Sequence, residues 1–391
     1  MKSRSSIAHW DPQKLGYDCG TMVQSIRKHS SIPVWLCAVA CVLLLSTGCV
    51  ISPRRTFGGG GGATPTPTPT PIISPTPTPT PGVASGKLYV SNSNANSILR
   101  FDNAFTASGN VAPAATISGG LTTLNTPAFI TLDAAADRLY VANNGNISIL
   151  IFDNISTKTG NIAPDRIIAG GNNTNLVTPT DVAVDTTRDL LYVADDTEVL
   201  VFASASTTSG DVAPVHDITV NFRASAIFID PVNDRLYVAD QAGNAIDVYN
   251  NASTQDGPAV VARTVQGALT HLATPGGIQI DGSGRLVVSN NATGVASITI
   301  YANAATATGN VAPSGEIKGS NTGLSSPDQI VVDKTGTSTV YNADSGAGRV
   351  AAFANLGTAN GNIAPTRAIT GTSTGLSAAG RPEGVALDTT R

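Results

Sequence analysis

From residue 86 to the C-terminus, apolar residues come in short runs separated by clusters of Gly, Asn, Asp, Ser and Thr. The runs are too short for helices and rich in β-branched and aromatic residues, which predicts strands. Four markers recur along this stretch. The first is an apolar strand closed by Asp: Ile130–Asp133, Val182–Asp185, Ile227–Asp230, Ile278–Asp281, Ile330–Asp333 and Val385–Asp388. The second is a Leu-Tyr-Val strand beginning at Leu88, Leu139, Leu191 and Leu236, varied at Leu286 and reduced to Val340-Tyr341. The third is a strand carrying one aromatic, at Phe101, Phe152, Phe202, Tyr249, Tyr301 and Phe353. The fourth is Gly-Asn/Asp-Val/Ile-Ala-Pro, at Gly109, Gly160, Gly210, Gly309 and Gly361, surviving in the fourth repeat only as Gly257-Pro258. Turn signals such as Asp281-Gly282-Ser283-Gly284 and Asn143-Asn144-Gly145-Asn146 separate the runs. Strict apolar–polar alternation is only partial, as expected where both faces of a sheet are buried.

The aromatic positions lie 47 to 52 residues apart. A period near 50 with four short strands fits a propeller blade. The ends of the array argue for closure. It begins at Gly86-Lys87-Leu88-Tyr89-Val90, the second strand of a unit, and ends at Gly384–Arg391, the first strand of a unit. Leu387-Asp388-Thr389-Thr390-Arg391 repeats Val184-Asp185-Thr186-Thr187-Arg188, which runs on into a Leu-Tyr-Val strand. The expectation is an all-β fold, a six-bladed β-propeller over 86–391 whose C-terminal strand completes the first blade and leaves no open inner edge. The alternative is a longer array continuing past Arg391.

Upstream, Arg27 and Lys28 precede a 12-residue apolar run, Val34 to Leu45, and then the small residues Ser46, Thr47 and Gly48. This is the order of a secretory signal, and the run is shorter than the roughly 20 residues of a membrane span. Leu45-Ser46-Thr47-Gly48-Cys49 resembles a bacterial lipobox, with its Leu one place further from the Cys than usual. The resemblance implies lipid attachment at Cys49 and an exported chain anchored to the cell envelope, at an outer membrane or the cell surface. Residues 1–49 read as the leader, and Met22 is an alternative start. Residues 50–85 hold a pentaglycine and Thr-Pro repeats. Proline fixes φ and favours an extended chain, so this segment is expected as a stalk.

Composition narrows the function. With 39 Gly, 23 Pro, 13% charged residues and a net charge of −4, the chain has no basic cluster after Arg55, and no nucleic-acid partner is expected. The four cysteines, Cys19, Cys37, Cys41 and Cys49, all precede the repeats, which excludes a disulfide or thiolate site within them.

The unit Thr-Pro-x-x-Val/Ile-x-Val/Ile-Asp, Leu-Tyr-Val-Ala-Asn/Asp, Ile-x-Val-Phe/Tyr, clearest over Thr178–Phe202, is similar to the NHL repeat and to YVTN-type surface propeller repeats. The units here are longer, the excess lying between the third and fourth strands. The resemblance covers roughly 86–391. It implies a non-catalytic scaffold for a protein or small ligand. A minority of relatives, the gluconolactonase and strictosidine-synthase-like propellers, are enzymes, and fold alone does not decide.

An Asn or Asp follows each second strand: Asn92, Asn143, Asp195, Asp240, Asn290 and Asp344. The segment leading into each first strand is expected on the same face and carries Asp181, Asp328 and Glu383. Such a ring could present oxygens to a ligand or to Ca2+. Its presence in every repeat equally suits turn residues that bond their own backbone. The resemblance to lactonases would give Glu383 a metal-binding role. Gly371-Thr372-Ser373-Thr374-Gly375 matches G-x-S-x-G, but a nucleophile elbow needs a helix after the turn and none is expected. His216 and His271 have no partner motif. The reading is therefore a monomeric, envelope-tethered binding scaffold with no cofactor required. A calcium-dependent lactonase-like hydrolase and a passive structural envelope protein are the alternatives.

Overall fold

The computed structural model describes residues 85–335 and 338–391. The leader, Cys49 and all but the last residue of the expected stalk lie outside the described residues. Among the described residues there is no α-helix, only strands and one-turn 3-10 segments.

The strands form six antiparallel sheets. Blade 1 runs from its inner to its outer edge as Pro382–Asp388, Lys87–Asn92, Ser97–Asp102 and Ala115–Ser118. Blade 2 is Pro127–Asp133, Arg138–Asn143, Ser148–Asp153 and Arg166–Ile168. Blades 3, 4, 5 and 6 repeat this order from inner strands Pro179–Asp185, Ala224–Asp230, Pro275–Ile280 and Pro327–Asp333. Each inner strand packs between the inner strands of the two neighbouring blades, and 382–388 lies between 327–333 and 127–133. The ring is therefore closed, and the chain folds as a six-bladed β-propeller.

Closure occurs where the sequence pattern predicts it. Lys87 pairs with Asp388, Leu88 with Leu387, Tyr89 with Ala386, Val90 with Val385 and Ser91 with Gly384. The final residues reproduce the blade 3 turn. Asp185 Oδ1 accepts the Thr187 and Arg188 amides, and Arg188 reaches both Asp185 and the Pro231 carbonyl of blade 4. Asp388 Oδ1 accepts the Thr390 amide, and Arg391 reaches both Asp388 and the Ala134 carbonyl of blade 2. The Asp that ends each inner run is thus a turn former.

The core is divided among the six gaps between blades. One cluster joins Tyr140, Ile149 and Ile151 of blade 2 to Leu191, Val193 and Phe202 of blade 3. The cluster that closes the ring joins Tyr341, Val350 and Ala352 of blade 6 to Leu88, Val90 and Phe101 of blade 1. The aromatic marker and the second-strand tyrosine therefore pack in these gaps. Three tyrosine hydroxyls also cross to the next blade: Tyr140 to the Ala205 carbonyl, Tyr237 to that of Ala304 and Tyr341 to that of Ala104.

The Gly-Asn/Asp-Val/Ile-Ala-Pro marker acquires its role only in the assembled ring. Each of these glycines bridges, in parallel, to the outer strand of the preceding blade, as Gly160 does to Ile117 and Gly109 to Ile369. Gly160 N donates to Thr116 O at 2.7 Å, and Gly160 O accepts Ser118 N at 3.2 Å. The following side chain caps the next turn: Asn161 Oδ1 accepts Leu121 N at 2.8 Å, and Asn310 Oδ1 accepts Leu269 N at 2.7 Å. In the degenerate fourth repeat, Gly257-Pro258 still pairs with Ile218 and Thr219 of blade 3. All six outer edges carry this cover, which removes the unpaired strand groups that invite aggregation.

Candidate functional site

The inner strands begin on one face, here the upper one, and line the central axis. Two cavities lie along it. The upper one, of about 450 Å³, is bounded by residues including Phe129, Asn144, Arg223, Gln241, Asn291, Asp328, Arg381 and Glu383. The lower one, of about 370 Å³, is bounded by the later parts of all six inner strands.

A polar plug stands at mid-height. Gln329 Oε1 accepts the Ile130 amide of blade 2 at 3.1 Å and the Val385 amide of blade 1 at 2.8 Å. Its Nε2 donates to Ile130 O at 3.0 Å and to Asp181 Oδ1 at 3.3 Å. Asp181 in turn accepts the amides of Val182 and, from blade 4, Ile227, each at 2.8 Å. Two side chains thereby satisfy inward-facing amides from four blades, groups that a buried inner edge would otherwise leave unpaired. Burial pushes the Asp181 carboxyl up to about 8, against the pull of its two backbone donors.

The segment expected to lead into each first strand proves to be part of it. Asp181, Asp328 and Glu383 all lie within inner strands, beside the irregularity that follows the opening Pro. Asp328 and Glu383 are the second residues of their strands and Asp181 the third, so they face differently. Asp181 enters the axial plug, whereas Asp328 and Glu383 line the upper cavity.

The six residues expected after the second strands are the last residues of those strands, and they do not line this cavity. Asp195 accepts the Val177 amide at 2.7 Å and the Thr178 amide, holding the loop before its own inner strand. Asp344 accepts Ser325 N and Ser326 N, Asn143 accepts Asn125 N, and Asn290 accepts Ala273 N. Asn92 donates to Gly375 O, and Asp240 accepts Gly243 N within its own turn. Among the described residues, no group of three or more His, Cys, Asp or Glu stands close enough to share a metal ion. Ser373 of the G-x-S-x-G stretch sits in a 3-10 turn with its amide on Asn110 Oδ1. His271 contacts Glu316 at 3.0 Å on the exterior.

Superposing the repeats on the structure shows what does face the upper cavity. The residue before each inner strand is Thr126, Thr178, Thr274 or Ser326 in four blades, but Arg223 in blade 4 and Arg381 in blade 1. Those blades lie opposite each other in a six-membered ring. The second residue of the inner strand is Ala128, Thr180, Ser225 or Gly276 in four blades, but Asp328 in blade 6 and Glu383 in blade 1. All four charged departures line the one cavity. Asn144, Gln241 and Asn291, each one residue past the predicted ring, complete its wall.

Asp328 is the most constrained member. Its Oδ1 accepts Asn291 Nδ2 at 2.6 Å, while its buried Oδ2 has no partner. Burial pushes its carboxyl up to about 7, with Glu383 raising it further and Arg381 lowering it; the nearby Ser345 hydroxyl also lowers it but bonds Ser326 O and not Oδ2. Glu383 is also raised by burial, against Arg381, whose guanidinium meets it at 2.6 Å. The two arginines were missed in the sequence because their signal is not a motif. It is a break in the Thr-Pro pattern that the other repeats keep.

No family model matches the chain, and no curated protein matches it. Among solved structures, a chain of a nidogen/laminin complex is 15% identical, with a TM-score of 0.50, over 78% of this chain and 98% of that one. A functionally unknown protein from Desulfotomaculum acetoxidans DSM 771 is 13% identical, with a TM-score of 0.45, over 68% of this chain and 75% of that one. Hydrazine synthase of Kuenenia stuttgartiensis is 19% identical, with a TM-score of 0.44, over 61% and 65%. The likeness to the nidogen/laminin chain agrees with the fold and extends no further.

Proposed function

We propose that this chain is an envelope-tethered propeller, of NHL/YVTN repeat type, that binds a small polar ligand in its upper cavity without turning it over. The observation that carries the reading is the concentration of charged departures from the repeat. Positions that only maintain the ring keep their type from blade to blade, as the Asp that ends each inner run does. Arg223, Asp328, Arg381 and Glu383 break that pattern together, around one concave, hydrogen-bonding surface of a size suited to a small molecule. The buried Oδ2 of Asp328 lacks a donor, and a ligand would supply one. The lipobox-like Cys49 and the Thr-Pro stalk support display of this face at the envelope.

A second reading is a lactonase-like hydrolase. The observation favouring it is a carboxyl titrating near neutrality beside a second carboxyl, the condition of a general acid. Glu383 and the carboxamide oxygens of Asn144 and Asn291 would be the hard donors for Ca2+, leaving Asp328 as the acid.

A thermal-shift screen of polar metabolites on the full chain, repeated on Asp328→Asn and Arg223→Ala, tests the binding reading. Ligands that stabilise the wild type and lose their effect in both variants are the expected result. Lactone turnover with Ca2+ that Asp328→Asn abolishes would replace it with the enzyme reading. Ligands indifferent to both variants would remove the cavity from consideration. Labelling with radioactive palmitate, lost in Cys49→Ser, is expected if the tether is lipid.

A further inference from the structure

We infer that the ligand of the upper cavity is a zwitterion, with an ammonium group against Asp328 and Glu383 and a carboxylate against Arg223. The inference rests on the cavity being the binding site and adds the ligand's chemical class.

The charges in the cavity are unevenly satisfied. Asp328 and Glu383 stand on adjoining blades, 6 and 1, and both are buried. Of the two cavity arginines, only Arg381 engages this pair, and it meets Glu383. Asp328 keeps a buried oxygen with no donor. A buried carboxylate needs a cation or several donors to remain charged. An ammonium group is compact and carries three donors, so one group can serve Asp328 Oδ2 and Glu383 together.

The opposite wall has the reverse need. Arg223 opens blade 4, across the ring from blade 1, and makes no ion pair among the described residues. A guanidinium at the rim of a concave site is a bidentate receptor for a carboxylate. Between the two walls lie the Gln241 and Asn144 carboxamides and Thr274, which can bond a polar ligand but carry no charge. Arg223 stands two blades from Asp328 and three from Glu383. The matching ligand therefore has its ammonium and carboxylate separated by several bonds, as in an ω-amino acid or the equivalent part of a larger molecule.

The test is calorimetry on the full chain with glycine, 4-aminobutyrate and 6-aminohexanoate, against butylamine, glutarate and glucose. The longer amino acids are expected to bind more tightly than glycine or any of the three controls. Asp328→Asn should weaken them at least about tenfold, the scale of one charged contact. Arg223→Ala should weaken the amino acids while leaving butylamine unchanged. Binding near pH 6.5 should also release protons, because Asp328, titrating at about 7, must ionise to meet the ammonium. Arg223 is exposed, so its variant keeps the test open if Asp328→Asn folds poorly. Preference for glucose or glutarate, lost in Asp328→Asn, would overturn the zwitterion and leave the cavity as the site. Failure of all six probes would likewise overturn it. Binding of any probe indifferent to both variants would overturn the zwitterion and the site together.

Discussion

Ser91 and Gly384 are direct register partners in the strand pair that joins the two ends of the propeller. Gly384 N donates to Ser91 Oγ at 2.8 Å, and the Ser91 hydroxyl passes over the glycine to the Ala128 carbonyl of blade 2 at 2.5 Å. Blade 5 repeats the arrangement: Ser289 pairs with Gly277 and donates to the Asp328 carbonyl of blade 6 at 2.6 Å. In the other four blades the glycine becomes Phe129, Asp181, Ala226 or Gln329, and the serine becomes Ala142, Ala194, Ala239 or Ala343. The serine stands only where its partner is glycine, because a Cβ on the partner would fall against the serine hydroxyl.

Gly384→Ala should therefore destabilise the fold. A Cβ there would fall against Ser91 Oγ and 2.7 Å from Ala128 O. A loss of about 1–3 kcal/mol is expected for such overpacking. Adding Ser91→Ala should recover only part of it, since the carbonyl remains. Denaturant titration of the double-mutant cycle measures the coupling.

Ending the chain after Arg381 should remove cooperative unfolding. It deletes the inner strand of blade 1, with buried Val385 and Ala386, and opens the core shared by blades 6 and 1. The expected loss exceeds about 5 kcal/mol, from several ladder bonds and buried side chains together. A peptide spanning 382–391, added in trans, should restore part of the thermal transition.

Gln329→Leu should weaken the ring at its axis. It leaves the Ile130 and Val385 amides without their acceptor. Each orphaned buried amide costs about 1–3 kcal/mol. Hydrogen exchange should show those two amides losing protection ahead of the second-strand amides.

Asn310→Ala should cost about 1 kcal/mol, the usual value of a lost cap. Its Oδ1 is the acceptor for Leu269 N. Gly309→Ala meets nothing within 4 Å but sits at a φ of +63°, where a side chain is strained by about 1–2 kcal/mol. Urea midpoints of both variants should fall by similar amounts.

Stability should decline as pH rises from mildly acidic to alkaline. Asp328 and Asp181 titrate at about 7 and 8 in the folded chain. The unfolded chain releases those protons near pH 4. Their stabilising contribution is complete below that point and lost as pH rises through 7 to 8. Asp153 and Asp388 work in the opposite sense. Burial opposes their ionisation, but bonds from Arg138 and Arg166 to Asp153, and from Thr390 and Arg391 to Asp388, outweigh it and lower both. Their contribution is lost as pH falls below about 4. The melting temperature should peak in the weakly acidic range and drop by several degrees by pH 8.5, less so in Asp328→Asn.

The blades, their number and the pairing of 382–388 with 87–92 were legible in the sequence. Strand pairing within a blade is local, and it repeats, so each repeat serves as a check on the next. That Asn143, Asp195 and Asp344 serve the structure of every repeat was legible for the same reason, but not that they hold the loop before the inner strand and not merely their own turn. What the upper cavity contains was not. The residues that face it are set at the irregular start of each inner strand, where the second residue, such as Asp328, faces the mouth and the third, such as Asp181, the axis. Asn144, Gln241 and Asn291 face the cavity in place of their immediate neighbours because the second strand ends between each pair and the chain leaves the sheet there.

Only the closed ring could decide the contacts between blades. Gln329 meets Ile130 across 199 residues of sequence, and Gly109 covers the strand of Ile369 from the far end of the chain. Such distances carry no periodicity to read. Periodic sequence determines a strand's partners inside its own sheet. The geometry of six sheets around one axis determines which side chains fill the space between sheets, which plug the centre, and which four charges are left facing a common cavity.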